Sequence, residues 1–152
     1  MADRAALIAQ YAAGPDAVDA AVRGLTDDEL DRRPAPGEWT AREVVHHLAD
    51  SETRSTIRLR QLLAEDSPTI HAYDEELYAR VLHYDRPIAG SLAVLRAVRA
   101  SNTELLERLT DADFARTGTH TESGPYSVDT WLELYAAHAH DHADQARRAA
   151  RG

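Results

Sequence analysis

The stretch SVDTWLELYAAHAHDHADQARR, residues 127–148, contains three histidines within five positions: His138, His140 and His142. If the stretch is a helix, residues four apart share a face and residues two apart do not. His138 and His142 then lie one turn apart on the apolar stripe that carries Trp131, whereas His140 points away. Because an apolar stripe faces the core, two imidazoles point inward at a spacing that lets one helix hold a metal ion.

Length and composition limit the classes of protein that need to be considered. The 152 residues suit one domain covering residues 1–152, and the absence of cysteine excludes disulfides and thiolate ligands. The N-terminus has no apolar signal core and no run reaches membrane-spanning length, so a cytoplasmic protein without a membrane partner is expected. The formal net charge of −9 argues against a nucleic-acid partner.

Apolar residues recur at helical spacing in four long segments, and no segment has the pattern of a strand. A kink or a break is expected at Gly14-Pro15, and Thr40 with Glu43 forms a capping box that starts the second helix. The predicted long helices are Asp3–Arg23, Thr40–Glu65, Ile88–Leu109 and Ser127–Arg148.

The connection between the second and third long helices, residues 66–87, is unusually long and contains one predicted short helix, residues 74–82. A connection of this length can travel along the bundle and start the third helix parallel to the second. The sequence therefore predicts an all-α four-helix bundle with up-down-down-up topology and a long crossover between helices 2 and 3.

A third metal ligand is predicted at His47, on the edge of the inner face of the second helix. His47 lies about six residues into its helix and His142 about seven before the end of the fourth, so antiparallel helices bring them together. Parallel helices would leave a separation of about 9 Å, too far for imidazoles to share an ion at about 2.0–2.1 Å each. We predict a metal site of His47, His138 and His142. The remaining histidines, His46, His71, His83, His120 and His140, are predicted not to be ligands.

An all-histidine site suits zinc, nickel, copper or iron. Three protein ligands with positions left open are typical of a catalytic rather than a structural site. The candidates for hydrogen bonds to the imidazole rings are Asp50, Asp141 and Gln145. The sequence leaves open whether Tyr73, Asp74 or Glu75 of the crossover reaches the site.

Three segments resemble the DinB-like superfamily, in its branch of bacillithiol transferases and proteins described as metal-dependent hydrolases. They are GEWTAREVVHHLADSE (residues 37–52), PTIHAYDEELY (68–78) and LYAAHAHDHADQ (134–145). The resemblance implies an up-down-down-up four-helix bundle, often dimeric, with one metal-binding histidine from helix 2 and two from helix 4. Carried over by motif, these are His47, His138 and His142.

The resemblance leads to a metal-dependent enzyme as the main hypothesis. In it, a divalent metal activates a low-molecular-weight thiol, such as bacillithiol or mycothiol, for transfer to a small electrophile. The metal is expected to be zinc or nickel, with iron, manganese and copper as alternatives, and the protein is expected to form a homodimer. The alternatives are a hydrolase that uses metal-bound hydroxide and a non-catalytic metal-binding protein of the stress response.

Overall fold

The computed structural model describes residues 3–152 and is mainly helical. Its elements, in chain order, are α1 (Arg4–Val22), α2 (Asp27–Leu30), α3 (Ala41–Ala64), β1 (Thr69–Ile70), α4 (Glu75–Val81), α5 (Ala89–Leu106), α6 (Asp111–Phe114), β2 (Thr117–His120), β3 (Gly124–Ser127) and α7 (Val128–Arg151). The four long helices, α1, α3, α5 and α7, are those that the sequence predicts. Among residues 3–152, no helix combines the length and apolarity needed to cross a membrane.

Side-chain caps fix where the two histidine-bearing helices begin. The Thr40 hydroxyl accepts from the backbone N–H of Glu43, and the Glu43 carboxylate accepts from the backbone N–H of Thr40, so the predicted capping box is present. Ser127 caps α7 by accepting from the N–H of Thr130. The helix starts set the depth at which each histidine lies in the bundle.

Helices α1 and α7 are neighbours and run parallel. Near their starts, Arg4 pairs with Asp129 at 2.7 Å, and further along both helices the His140 ring bonds the Gln10 carbonyl oxygen at 2.8 Å. Sequence number therefore increases in the same direction along both helices.

Helices α3 and α5 also run parallel to each other. The His46 ring bonds the Ser91 hydroxyl near both helix starts, and about two turns later Glu52 pairs with Arg99. This parallel arrangement requires the crossover to return along the full length of the bundle, as the sequence predicts.

Helices α3 and α7 run antiparallel. Trp131, early in α7, donates its indole N–H to the carbonyl oxygen of Ser55 late in α3, whereas His142, late in α7, lies beside His47, early in α3. The topology is therefore up-down-down-up, and the predicted fold class is confirmed.

The crossover contains the predicted short helix, as α4, but the prediction that the chain has no strand is wrong. A small three-stranded sheet joins β1 parallel to β2, and β2 antiparallel to β3. Sequence patterns miss these strands because they are only two to four residues long, and because β1 pairs with β2, a segment distant in sequence.

Helix α1 continues through Pro15 without the break that Gly14-Pro15 suggests. A proline inside a helix costs one backbone hydrogen bond, but both residues are buried where α1 packs against α5 and α7. Tertiary packing therefore overrides the local preference of Gly14-Pro15 to interrupt the helix.

The core has two apolar clusters. We call the end at which α3 begins and α7 ends the histidine end, and the opposite end the far end. At the histidine end the cluster includes four alanines of α7: Ala139, Ala143, Ala146 and Ala150. The far-end cluster is built from larger side chains, among them Tyr11, Leu59, Leu106, Phe114 and Trp131.

Candidate metal centre

His47 lies in the second turn of α3, where the capping box fixes the helix start. Only 1% of the residue is exposed, and the ring of Trp39, from the segment before α3, packs against it with centroids 4.8 Å apart. The helical pattern predicts that His47 lies beside Leu48 at the edge of the inner face of α3. Its imidazole faces α7, where His138 and His142 lie.

His138 and His142 lie one turn apart on α7, with ring centroids separated by 4.5 Å. The His47 ring lies 5.5 Å from His138 and 4.7 Å from His142. One nitrogen from each of the three residues lies within 4.8 Å of the other two. The structure thus brings together the three histidines that the sequence selects.

Burial keeps the imidazoles neutral, which is the form that binds a metal. Loss of hydration lowers the pKa of His47 to about 3 and that of His138 to about 2, with a smaller contribution from repulsion between the rings. Burial also lowers the pKa of His142, against the opposing effect of its hydrogen bond to Gln145.

The hydrogen bonds at the rings fit a metal better than a purely structural cluster. The Nδ1 atoms of His47 and His138 are buried and have no hydrogen-bond partner among the described residues. His142 bonds the amide oxygen of Gln145 through Nδ1 at 2.7 Å, which leaves its Nε2 free for a ligand bond. A buried polar atom without a partner costs about 1–3 kcal/mol, and a bound metal would remove that cost.

Two of the three predicted ring partners do not form such a hydrogen bond. Asp50 accepts a hydrogen bond from the Tyr84 hydroxyl at 2.6 Å instead. Asp141 acts on His142 only through its charge. Gln145 alone, one turn from its histidine on the same helix, bonds a ring of the cluster.

The histidines predicted not to be ligands lie elsewhere in the described structure. His46 is buried on the other side of α3, where its ring bonds the Ser91 hydroxyl at 2.7 Å and the Arg86 carbonyl oxygen at 2.8 Å. The bond to Arg86 attaches the end of the crossover to α3, and the bond to Ser91 joins α5 to α3. His140 bonds α1, and His120 packs against Tyr126 in the small sheet.

A cleft of about 680 Å³ opens beside His142. Its walls include Trp39 before α3, Glu75 and Glu76 of α4, and Arg148 near the end of α7. Of the three crossover residues that the sequence left open, Glu75 is therefore the one that lines the cleft, together with its neighbour Glu76. A larger groove, about 830 Å³, lies at the far end and contains no histidine, so metal chemistry favours the smaller cleft.

The other two crossover residues that the sequence left open have different roles. Asp74 caps α4 by accepting from the N–H of Leu77. The Tyr73 ring lies under the guanidinium of Arg54, 4.5 Å away. Sequence reasoning could not select Glu75 because its position depends on the path of the crossover, which local patterns do not encode.

Partial burial and the neighbouring carboxylates Glu76 and Glu122 raise the pKa of Glu75, while Arg58 opposes the shift. A raised pKa makes a carboxylate a better proton acceptor, and the Glu75 carboxylate lines the same cleft as His142.

Comparison with known proteins agrees with this architecture. A solved structure described as "YfiT from Bacillus subtilis is a probable metal-dependent hydrolase with an unusual four-helix bundle topology" superposes with a TM-score of 0.91. The two chains share 34% sequence identity over 97% of this chain and 86% of the other.

Curated relatives give the same result by sequence. The protein named "Putative metal-dependent hydrolase YfiT" of Bacillus subtilis is 39% identical over 84% of this chain and 73% of its own length. A protein of Oceanobacillus iheyensis, also named "Putative metal-dependent hydrolase", is 38% identical over 78% of this chain and 69% of its own. The model of the DinB superfamily matches residues 10–146, and the chain belongs to that superfamily.

Proposed function

We propose that this protein is a metal-dependent hydrolase that cleaves an ester or amide bond in the cleft beside His142. The observation that carries the proposal is the convergence of three neutral imidazoles, one buried and two partly buried, with the ring of His142 at the wall of a cleft that Glu75 also lines. The hydrolase names of two relatives of similar sequence support it. Hydrolysis therefore replaces thiol transfer as the leading hypothesis.

His47, His138 and His142 would hold the metal, for which zinc and nickel are the first candidates. A divalent metal bound there would supply Lewis acidity, which lowers the pKa of water and polarises a carbonyl oxygen. The three residues contribute no net charge, so the full charge of the ion would be available for this purpose.

The protein's own groups then have separate tasks. Gln145 fixes the orientation of the His142 ring through their 2.7 Å hydrogen bond. Trp39 forms an apolar wall of the cleft and packs against His47. The Glu75 carboxylate accepts the proton of the attacking water and returns it to the leaving group, as its position and its raised pKa favour.

Thiol transfer is the second candidate, because a neutral three-nitrogen centre can also stabilise a thiolate. It differs from hydrolysis in requiring a low-molecular-weight thiol as co-substrate.

The test is a panel of chromogenic esters and amides, incubated with zinc- or nickel-loaded protein in the presence and absence of thiols. If the protein is a hydrolase, it should turn over an ester or an amide in the absence of thiol. Glu75→Gln should lower kcat by about 10²–10⁴-fold, the usual contribution of a general base. Glu104→Gln, an exposed carboxylate of α5 remote from the cleft, is the matched control and should not change kcat.

The outcomes separate the hypotheses. Turnover that appears only with thiol would replace hydrolysis by thiol transfer. Retention of metal without turnover of any substrate in the panel would favour a non-catalytic metal-binding protein.

A further inference from the structure

A connected set of buried polar side chains crosses the bundle, and one of its members, Tyr11, also belongs to the far-end apolar cluster. Tyr11, Glu52, Arg99 and Asn102 are each at most 1% exposed. They come from three of the four long helices, and none of them lies in the candidate metal centre or its cleft. Full burial of an arginine and a glutamate is costly and requires a reason.

The guanidinium of Arg99 is fully engaged. It donates to the Glu52 carboxylate at 3.1 Å, to the Tyr11 carbonyl oxygen at 2.7 Å and to the Tyr135 carbonyl oxygen at 2.9 Å. The Tyr11 hydroxyl donates to the second Glu52 oxygen at 2.5 Å and accepts from Asn102 at 2.9 Å. Arg99 thereby connects α1, α3 and α7 from its place on α5.

The structure leaves room for this guanidinium by omitting a side chain. A Cβ atom at Gly14 would lie 2.5 Å from Arg99 Nη1 and 2.8 Å from the Ala139 Cβ. No side chain fits there without moving Arg99, so the glycine of Gly14-Pro15 serves the buried pair.

Stability of the fold does not by itself explain the pair. The desolvation of two buried charges consumes most of their mutual attraction, and replacing such a pair by apolar residues is often neutral or stabilising. The pair lies near the metal centre, however. Arg99 bonds the carbonyl oxygen of Tyr135, less than one turn before His138, and both Arg99 and Ala139, the residue after His138, lie against Gly14.

A buried positive charge this close to three neutral imidazoles would repel a divalent cation bound by them. Glu52 lies 3.1 Å from Arg99 and cancels that charge. Glu52 also joins Arg99, on α5, to α3, the helix that carries His47.

We propose that Glu52 sets the metal affinity of the His47–His138–His142 centre by neutralising Arg99. Neither residue contacts the metal, and both act through the electrostatic field at the imidazoles. The proposal rests on the proposed metal centre, but concerns its affinity rather than its reaction.

The experiment measures the dissociation constant of Zn²⁺ by competition with a chromogenic chelator, in the full-length protein. Glu52→Gln leaves Arg99 uncompensated and should weaken Zn²⁺ binding about tenfold or more. Arg99→Gln leaves the Glu52 carboxylate uncompensated, and its negative charge attracts the cation, so the affinity should exceed that of the wild type. The double variant Glu52→Gln/Arg99→Gln should recover to within about threefold of the wild type.

A purely structural role makes a different prediction, because each single variant breaks the same pair. The proposal is overturned if Arg99→Gln weakens Zn²⁺ binding as much as Glu52→Gln, or if the double variant shows no recovery. Should Glu52→Gln fail to fold, Arg99→Gln still tests the proposal: tighter Zn²⁺ binding than in the wild type supports it, and equal or weaker binding overturns it.

Tyr11→Phe is the matched control, since it removes a hydrogen bond to Glu52 and leaves both charges in place. It should change the unfolding midpoint in urea but keep the Zn²⁺ dissociation constant within about threefold of the wild type. Wild-type protein that binds no Zn²⁺ would refute the proposed function. Wild-type binding that Glu52→Gln leaves unchanged would refute only this inference.

Discussion

The two ends of the bundle are built from different side chains. At the far end, Trp131 packs against Tyr11 and Tyr135, with ring centroids 5.4 and 5.1 Å apart, and donates to the Ser55 carbonyl oxygen. At the histidine end, the inner face of α7 carries alanines, and the space beside them is filled by imidazoles. The contrast separates the end whose large side chains hold the fold together from the end that carries the candidate metal centre.

The two ends also differ in how burial contributes to the stability of the fold. Each large apolar side chain of the far end contributes about 1.5–3 kcal/mol by leaving water. The histidine end instead buries the Nδ1 atoms of His47 and His138 without partners. The histidine end should therefore gain stability from a metal, whereas the far end should be stable without one.

The largest expected effect is the loss of metal binding on removing one ligand. His138→Ala should weaken Zn²⁺ binding by more than the about 100-fold that the loss of a hydrogen-bond partner of a ligand can cost. Metal analysis of the purified protein measures the loss as a fall from one ion per chain to none. The unfolding midpoint of the metal-free protein should change little.

His140→Ala is the control for that experiment, because His140 lies on the same helix but bonds the Gln10 carbonyl oxygen. It should keep one ion per chain. Equal loss of metal in both variants would mean that the substitutions disturb α7 as a whole rather than that His138 binds the metal.

Trp131→Ala tests the far end and should have the next largest effect. Removing this fully buried ring should lower the free energy of unfolding by about 3–5 kcal/mol, through lost apolar contacts and the cavity left behind. Urea titration of the metal-free protein measures it. The Zn²⁺ dissociation constant of the folded fraction should stay within about threefold of the wild type, and a larger change would show that the two ends are coupled.

The three histidines of the candidate metal centre could be selected from sequence because helical periodicity and depth along a helix are local properties. The spacing of His138 and His142 fixes their common face, and the Thr40 capping box fixes the depth of His47. The length of the crossover then gives the helix directions. Each of these three inferences needs only residues that are close in sequence or the number of residues in one segment.

The features that sequence did not reveal depend on contacts between distant segments. Thr69 pairs with Thr119 across the small sheet, and no hydrophobic pattern marks either strand. Glu75 reaches the cleft because side chains of α3 bind the crossover, for example Arg58 to the carbonyl oxygen of His71 at 2.7 Å. The partnership of Arg99 with Glu52 is likewise invisible until α3 and α5 are adjacent.

Gln145→Leu sharpens the comparison within the histidine end. Losing the 2.7 Å hydrogen bond that orients the His142 ring should weaken Zn²⁺ binding about 10–100-fold, with little change in metal-free stability. Chelator competition measures the affinity. Asp144→Asn, an exposed residue of the same helix paired with Arg147, should leave it unchanged, and a comparable loss there would remove the case for Gln145 as the orienting residue.

The smallest expected effects come from two matched helix caps, one at each end of the bundle. Thr40→Ala removes the side-chain cap of α3 at the histidine end, and Ser127→Ala removes that of α7 at the far end. Each should lower the free energy of unfolding by about 1 kcal/mol, because one backbone N–H at the helix start loses its partner.

Only Thr40→Ala should also weaken Zn²⁺ binding, since His47 lies in the second turn of the helix that Thr40 begins. Fraying of that first turn lets the His47 ring leave the cluster, whereas the turn capped by Ser127 is three turns from His138. Urea titration of the metal-free proteins and Zn²⁺ competition on the folded ones give both quantities for both variants. Equal weakening of Zn²⁺ binding by the two substitutions would show that the centre responds to global stability, and the division between the two ends would not hold.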